Sequence, residues 1–266
     1  MSGEEPGRDG VAPLGHPRVH LRRTDSTNDR ARELAIAGAP HGTLVTASEQ
    51  TAGRGRHGRR WSAPPGRSLL MSLLLSDRSS GGRPPGTATT GGVPPPPLLP
   101  LIAAVAVCDV AGDDARIKWP NDIVIVRPHG LAKLAGILAE GRPPQGWAVL
   151  GIGLNVAVDL QELPAELRTR AATLGLPAAE IEPILQRLLS ALERRLEQEP
   201  QAILEAWRAR DALRGRAISW GTTGTGEPVG RGEAQGIDGA GRLVVSLAPG
   251  GRVALEAGEV HLEQIG

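Results

Sequence analysis

Apolar positions in this chain change their period from stretch to stretch, and those changes mark its elements. Val19-His20-Leu21 alternates and predicts a short strand. Thr43 to Ala47 and Ser68-Leu69-Leu70-Met71-Ser72-Leu73-Leu74-Leu75 predict two more, on either side of a polar loop. Leu98 to Val110 is apolar all round and stops near Gly112, as a buried helix would. Strand-like runs return at Arg116 to Lys118, Ile123 to Val126, Leu131 to Glu140 and Trp147 to Val156. Between Ala178 and Gln198, Ile181, Leu185, Leu188, Leu189, Leu192 and Leu196 recur at helical spacing with Arg and Glu opposite. That stretch predicts a covering helix, with a second from about Gln201 to Leu213. The tail breaks into short strands at Arg214 to Trp220, Gly232 to Ile237, Arg242 to Ala248, Val253 to Ala257 and Val260 to Leu262, separated by Gly-rich turns. Such spacing suggests a small β-barrel.

The resulting expectation is an α+β chain with a main domain over 18–212 and a small β module over 213–266. Residues 1–17 are rich in Gly, Pro and charge without a period and read as a disordered leader. Residues 77–97 are low-complexity Gly, Pro, Ser and Thr and read as a flexible insertion. At 266 residues the chain is long enough for one substantial core plus a small module. A net charge of +1 argues against a general polyanion binder. The single cysteine, Cys108, excludes an intrachain disulfide and suits a reducing cytoplasm. The longest apolar run contains Pro100 and Asp109 and is too short to span a bilayer, so no membrane partner is expected.

Against that neutral background, Gln50-Thr51-Ala52-Gly53-Arg54-Gly55-Arg56-His57-Gly58-Arg59-Arg60-Trp61 stands out. Its glycines let the backbone bend and approach a ligand closely, and its four arginines with no acid make it an anion receptor. The spacing of Gly53, Gly55 and Gly58 also matches a dinucleotide fingerprint. That reading fails on context, because no strand ends at Gly53 and Ser62-Ala63-Pro64-Pro65-Gly66 stands where a helix should begin. A basic surface loop that touches nucleic acid non-specifically is the plainer alternative. The basic residues comprise 28 arginines and two lysines, Lys118 and Lys133. Two survivors of so strong a bias mark positions where a compact point charge is needed, or chance.

Several other residues carry two readings each. Asp25-Ser26-Thr27-Asn28-Asp29 precedes a helical pattern and serves as a cap, or offers the helix N-terminus to a polar ligand. Lys133, amid aliphatics, is either a snorkelling edge lysine or a functional one. Trp119-Pro120-Asn121-Asp122 is a turn, with Asp122 stabilising it or facing a partner. Gly151 and Gly153 alternate in a strand and mark either a bulge or a ligand lying against backbone. Asn155 is the polar group at that strand's end.

Taken together, these blocks make the sequence resemble the biotin protein ligases. The likeness is carried by Ser26-Thr27-Asn28, Gln50 with Gly53 to Trp61, Lys118-Trp119-Pro120-Asn121-Asp122, Lys133-Leu134-Ala135-Gly136-Ile137-Leu138, and Gly151-Ile152-Gly153-Leu154-Asn155-Val156, in the family's order across about half the chain. The resemblance implies a central mixed sheet of the class II aminoacyl-tRNA synthetase kind and a C-terminal SH3-like β-barrel. It implies formation of biotinyl-5′-AMP from biotin and ATP, with Mg2+ accompanying the nucleotide. Biotin would then pass to a lysine of a biotin carboxyl carrier domain. Lys133, Arg54, Arg56 and Asp122 carry over as catalytic residues. Ser26, Thr27, Asn28, Gln50, Arg54, Gly55, Arg56 and Lys133 carry over to biotin, and Arg54, Arg56, Trp61, Lys118, Asn121, Lys133 and Asn155 to the adenylate. No metal-binding residue is identifiable. Fewer than twenty residues precede Val19, so no winged-helix repressor domain and no specific DNA binding are expected; a homodimer through a sheet edge stays open. A lipoate or octanoate ligase or transferase of the same fold is the nearest alternative, and a nucleic-acid-binding module the alternative of another class.

Overall fold

A seven-stranded mixed sheet buries one face against helices and leaves part of the other open as a cleft. The computed structural model describes residues 13–76, 94, 97–142, 146–221, 229–256 and 258–263. In chain order the elements are β1 (Arg18–Leu21), α1 (Thr27–Ile36), β2 (Leu44–Ala47), β3 (Ser68–Ser76), α2 (Leu98–Ala111), β4 (Ala115–Lys118), β5 (Asp122–Arg127), β6 (Gly130–Arg142), β7 (Trp147–Asn155), α3 (Ala165–Arg168), α4 (Ile181–Leu196) and α5 (Pro200–Ala209). There follow β8 (Ala217–Gly221), β9 (Gly230–Ile237), β10 (Leu243–Ser246), β11 (Arg252–Leu255) and β12 (Glu259–Leu262).

The first seven strands lie in the order β1-β2-β3-β7-β6-β5-β4. β1 and β2 are parallel, and the remaining neighbours antiparallel. The alternation of β3 sorts its side chains: Leu69, Met71, Leu73 and Leu75 join the large core, whereas Leu74 joins a smaller one with Ala31, Val45 and Val149 beneath α1. Apolar on nearly every side, α2 is buried from Leu101 to Cys108 and packs against α4 and α5. In α4 the predicted stripe is the buried one, and fully buried leucines such as Leu188 and Leu192 contribute about 1.5–3 kcal/mol each.

Tertiary pairing shifts two boundaries. The second covering helix, expected to reach Leu213, ends at Ala209, because Ile117 donates its N–H to Arg210 O and Ala212 donates to Ile117 O, drawing the chain out of the helix. Residues 13–17, expected to be disordered, are docked: Leu14 is buried and its N–H donates to Glu193 at 2.7 Å. The rest of that leader and nearly all of the 77–97 insertion lie outside the described residues.

The tail forms a second, antiparallel sheet in the order β11-β10-β9-β8-β12. All five expected strands are present, but among the described residues the sheet is open, with β11 and β12 at its edges, rather than a closed barrel. It is tied to the first by Trp119, just after β4, whose indole N–H donates to Gly241 O at 3.0 Å, and to α5 by Arg208, which donates to Ile237 O.

Candidate functional site

Register between β5 and β6 slips once. Ile123 faces Ala135 while Val124 faces Lys133, so Leu134 is the extra residue of a bulge. A bulge breaks strict alternation and re-aims side chains. Here it leaves the Lys133 backbone free to pair with the segment after α3: Lys133 N–H donates to Arg170 O at 2.7 Å, and Ala172 N–H to Lys133 O at 2.8 Å. It also brings the Lys133 side chain over Gly136. Lys133 therefore sits on an interior strand and is neither a snorkelling edge lysine nor a fully buried one. Its Nζ lies 2.7 Å from Asp122 Oδ1 and 5.5 Å from the centre of the Trp61 ring. Of the two readings of Asp122, the geometry shows the one that pairs it with Lys133.

Facing Lys133 is the basic loop, folded back on itself. Trp61 N–H donates to Gly53 O, Gly55 N–H to Arg59 O, and Arg54 pairs with Arg60 across the turn. A short 3-10 turn at Arg56–Gly58 replaces the helix that a dinucleotide fingerprint would need. Among the described residues His57 is the one non-glycine with a left-handed backbone, at φ 55°. A left-handed non-glycine costs about 1–3 kcal/mol and persists where its surroundings demand it. The returning strand lays Trp61 flat on the bare face left by Gly136 and Gly153. A methyl group added at Gly153 would come within 2.5 Å of the indole. The alternating glycines make room for the chain's own side chains, Trp61 at Gly153 and Asn28 at Gly151, in place of the expected ligand against backbone, and the pairing of β7 carries no bulge there.

The start of α1 closes the next wall. Ser26 occupies the N-cap position, yet its side chain makes no capping bond. Its Oγ is buried and has no hydrogen-bond partner among the described residues. Thr27 donates through both N–H and Oγ1 to Gln50 Oε1, at 2.7 and 3.1 Å. Ser72, fully buried in β3, lies 2.6 Å from Asn28 Oδ1, and Asn28 Nδ2 donates to Glu140 at 2.9 Å. These residues form a connected polar wall of the cleft, and Ser26 holds the N-cap position of α1 without a side-chain capping bond.

Arg54 and Arg56 both have present partners. Arg54 reaches Asp29 at 2.7 Å and Glu140 at 2.9 Å, and the bond to Asp29 holds its guanidinium above arginine's ordinary value. Arg56 donates to Asn121 Oδ1 at 3.4 Å and is lowered by burial. Asn121 in turn donates to Ile137 O at 2.7 Å. Lys118 is half-buried at the end of β4. Burial pushes its ammonium below lysine's ordinary value, Asp122 opposes the shift, and Lys133, Arg59 and Arg170 add to it by repulsion.

All of these groups open onto one cleft of about 970 Å³, counting space open to solvent. Ser26, Thr27, Asn28, Gln50, Arg54, Gly55, Arg56, Trp61, Lys118, Asn121, Asp122 and Lys133 all line it, as does His261 of β12. One predicted site residue does not. Asn155 lies under the sheet, its carbonyl accepting from Ser68 Oγ at 3.2 Å and its amide donating to Ala172 O at 2.9 Å. It anchors the segment that carries Arg170. Sequence reasoning missed Asp29, Glu140 and His261. A carboxylate ending the aliphatic strand β6 was a usable signal for Glu140; nothing local pointed to His261.

A cleft lined by cationic, glycine and amide groups thus opens on one face of the mixed sheet. The chain belongs to the Biotin/lipoate A/B protein ligase family, whose description matches residues 20–158. It is 35% identical over 251 residues to a biotin–acetyl-CoA-carboxylase ligase of Mycobacterium tuberculosis, covering 91% of this chain and 88% of that one. A ligase of the same description from Paracoccus denitrificans is 36% identical over 257 residues, covering 90% and 98%. The bifunctional ligase/repressor BirA of Bacillus subtilis is 38% identical over 192 residues, of which this chain spans 54% of the length. In fold, the chain resembles the biotin protein ligase from Aquifex aeolicus in complex with biotin and ATP. The TM-score is 0.72 at 23% identity, over 94% of this chain and 99% of that one. Among the described residues no helix is long and apolar enough to cross a membrane, and no group of three His, Cys, Asp or Glu is arranged to hold a metal ion.

Proposed function

We propose that this chain is an ATP-dependent biotin protein ligase. It activates biotin as biotinyl-5′-AMP, releasing pyrophosphate, and then transfers the acyl group to a lysine of a biotin carboxyl carrier domain. The carrying observation is that Lys133, Lys118 and the Arg54–Arg56 pair, from three separate segments, line one cleft. Attack of a carboxylate oxygen on the α-phosphorus brings two anions together, and fixed cations are what lower that barrier.

Lys133, held by Asp122, bridges the biotin carboxylate and the α-phosphate as a point charge. Arg54 exchanges Asp29 and Glu140 for the new acids, and Arg56 closes beside it, shielding the mixed anhydride from water. The neutral ureido ring needs donors and acceptors together. Ser26 Oγ supplies an uncommitted hydroxyl, with Thr27, Asn28, Gln50 and Gly55 around it. Trp61 offers its ring to adenine, and Lys118 and Asn121 serve the phosphates. Mg2+ arrives on the nucleotide as part of the substrate, since that ion is held chiefly by phosphates and water. In the second step the carrier amine attacks the acyl carbon and AMP leaves; Asp122 is the base within reach of an incoming ammonium. The C-terminal strands form an SH3-like module that completes the cleft through Val260 and His261. A cytoplasmic site of action suits the buried Cys108 thiol.

The test is biotin-dependent exchange of labelled pyrophosphate into ATP. Exchange with biotin and none with lipoate is expected. Exchange driven by lipoate in place of biotin would move the chain to the other branch of its family, and no exchange with either would end the proposal.

A further inference from the structure

Arg54 has to leave Asp29 and Glu140 before it can meet a ligand's acid, and the bonding of those two carboxylates sets how readily it does so. Asp29 stands in the first turn of α1 and Glu140 near the end of β6. Arg54 donates through Nη1 to Asp29 Oδ1 at 2.7 Å, and its Nη2 lies 2.9 Å from Glu140 Oε1. The Asp29 oxygen is shared. Arg32, one turn along α1, donates through Nη2 to the same Oδ1 at 2.7 Å. Glu140 also has a second donor, since its Oε2 accepts from Asn28 Nδ2 at 2.9 Å. When Arg54 swings away, Arg32 therefore stays on Asp29 and Asn28 on Glu140, and neither carboxylate is stripped of its donors. Leaving a charge without a partner is the main cost of breaking such a pair. Side-chain exposure runs from 24% at Asp29 to 38% at Arg32, so water screens the contacts as well.

We propose that Asp29 and Glu140 form a releasable latch on Arg54, competing with the ligand's carboxylate for its guanidinium, and that Arg32 sets the strength of the latch by sharing the Asp29 oxygen. Two guanidinium groups on one oxygen divide its charge and repel each other, so Arg32 loosens the hold on Arg54. Without Arg32, Asp29 would grip Arg54 alone and more tightly. Arg54 and Asn28 line the cleft, with Asp29, Arg32 and Glu140 behind them, so these three are positioning residues that act through Arg54. Glu140 joins the latch to the polar wall, because one carboxylate holds both Arg54 and Asn28. That the competing acid is biotin's rests on the ligase reading above; the hold of the two carboxylates on Arg54 does not.

Asp29→Asn and Arg32→Gln in the full chain test this, because the latch moves them in opposite directions and a damaged fold cannot. Calorimetric titration should show the Kd for biotin about three- to fivefold lower in Asp29→Asn and higher by a similar factor in Arg32→Gln, the range an exposed ion pair supports. Biotin amide, which carries no charge to compete for Arg54, should bind wild type and both variants alike. Glu33→Gln removes an acid on the same helix that pairs with Arg30 at 2.7 Å, and it should leave biotin binding unchanged. Trypsin must draw an arginine side chain into its own acidic pocket to cut after it. Cleavage of the Arg54–Gly55 bond without ligand, followed by mass spectrometry, should therefore run faster in Asp29→Asn and slower in Arg32→Gln. Weaker biotin binding in both variants, or equal shifts toward biotin and its amide, would overturn the latch. If wild type and both variants bind biotin equally and are cut at equal rates, the latch fails and the ligase reading stands. If none of the proteins binds biotin but the cleavage rates separate as expected, the ligase reading fails and the latch stands.

Discussion

Replacing Gly151 by alanine tests the floor of the cleft with a single methyl group. The new Cβ would lie 2.0 Å from Asn28 Oδ1 and 2.8 Å from its Cγ, where ordinary contact begins at 3.4 Å. Asn28 cannot yield without loss, because it is bonded to Ser72 at 2.6 Å and to the Glu140 carboxylate at 2.9 Å. Breaking the bond to Glu140 costs about 1.5–3 kcal/mol. Removing a strand glycine returns about 0.5–1 kcal/mol. A net loss of about 0.5–2.5 kcal/mol should lower Tm by about 1–10 °C in a chain of this size. Because the displaced amide is a proposed biotin contact, the Kd for biotin should rise at least about tenfold, equivalent to about 1.4 kcal/mol. Gly141→Ala is the control. Its Cβ would meet Ala148 at 3.7 Å and the Trp147 carbonyl at 3.8 Å, both ordinary contacts, so Tm should rise slightly and biotin binding should hold. Scanning calorimetry and biotin titration on both variants decide the matter. If Gly151→Ala melts and binds as Gly141→Ala does, the packing argument for the cleft floor is wrong.

Three further outcomes are expected. Lys133→Arg keeps the charge but replaces a point with a fork, so pyrophosphate exchange should fall by about 10²–10³-fold. Its Tm should move by no more than about 3 °C, since a half-exposed ion pair is worth about 1 kcal/mol or less; full activity would refute the need for a compact cation. Asp211 is held above the ordinary carboxylate range by burial. Its Oδ1 accepts from Leu213 N–H at 2.8 Å and its Oδ2 has no hydrogen-bond partner among the described residues. A raised carboxyl pKa favours the fold while the group is protonated, and that advantage is lost as pH rises through the folded-state value. Asp211→Asn should therefore gain stability over wild type between about pH 4 and pH 7, and a pH-independent difference in Tm would contradict this. Burial pushes the Cys108 thiol up to about 12, so iodoacetamide should leave it unmodified in the native chain at about pH 8 and alkylate it once urea unfolds the protein.

Local pattern carried much of this fold. The strand-like apolar runs became β2, β3, β5 and β7, and the leucine stripe of 181–196 became the buried face of α4. The basic loop was legible as a lining of the cleft, and the glycines at 151 and 153 as bare backbone, though what lies against them is Asn28 and Trp61 and not a ligand. Other features depended on contacts between distant segments. Asn155 looked like a ligand group and turned out to be occupied by Ser68 and Ala172. Its neighbours in space come from 87 and 17 residues away, so no window of sequence could assign them. The cap-like Ser26-Thr27-Asn28 was ambiguous for the same reason: its side chains bond to Gln50, Ser72 and Glu140, all distant in sequence.

The amino-acid sequence by itself determined which segments become strands and helices, where the chain turns, and that one loop concentrates glycine and arginine, since periodicity, glycine and charge act over a few residues. Tertiary structure decided where those charges point. The bulge at Leu134 aims Lys133 over Gly136, the segment at 170–172 locks its backbone, and β12 brings His261 to the same cleft. A one-residue change in register would send Lys133 to the opposite face of the sheet, and register is set by the packing of the whole sheet, not by any stretch within it.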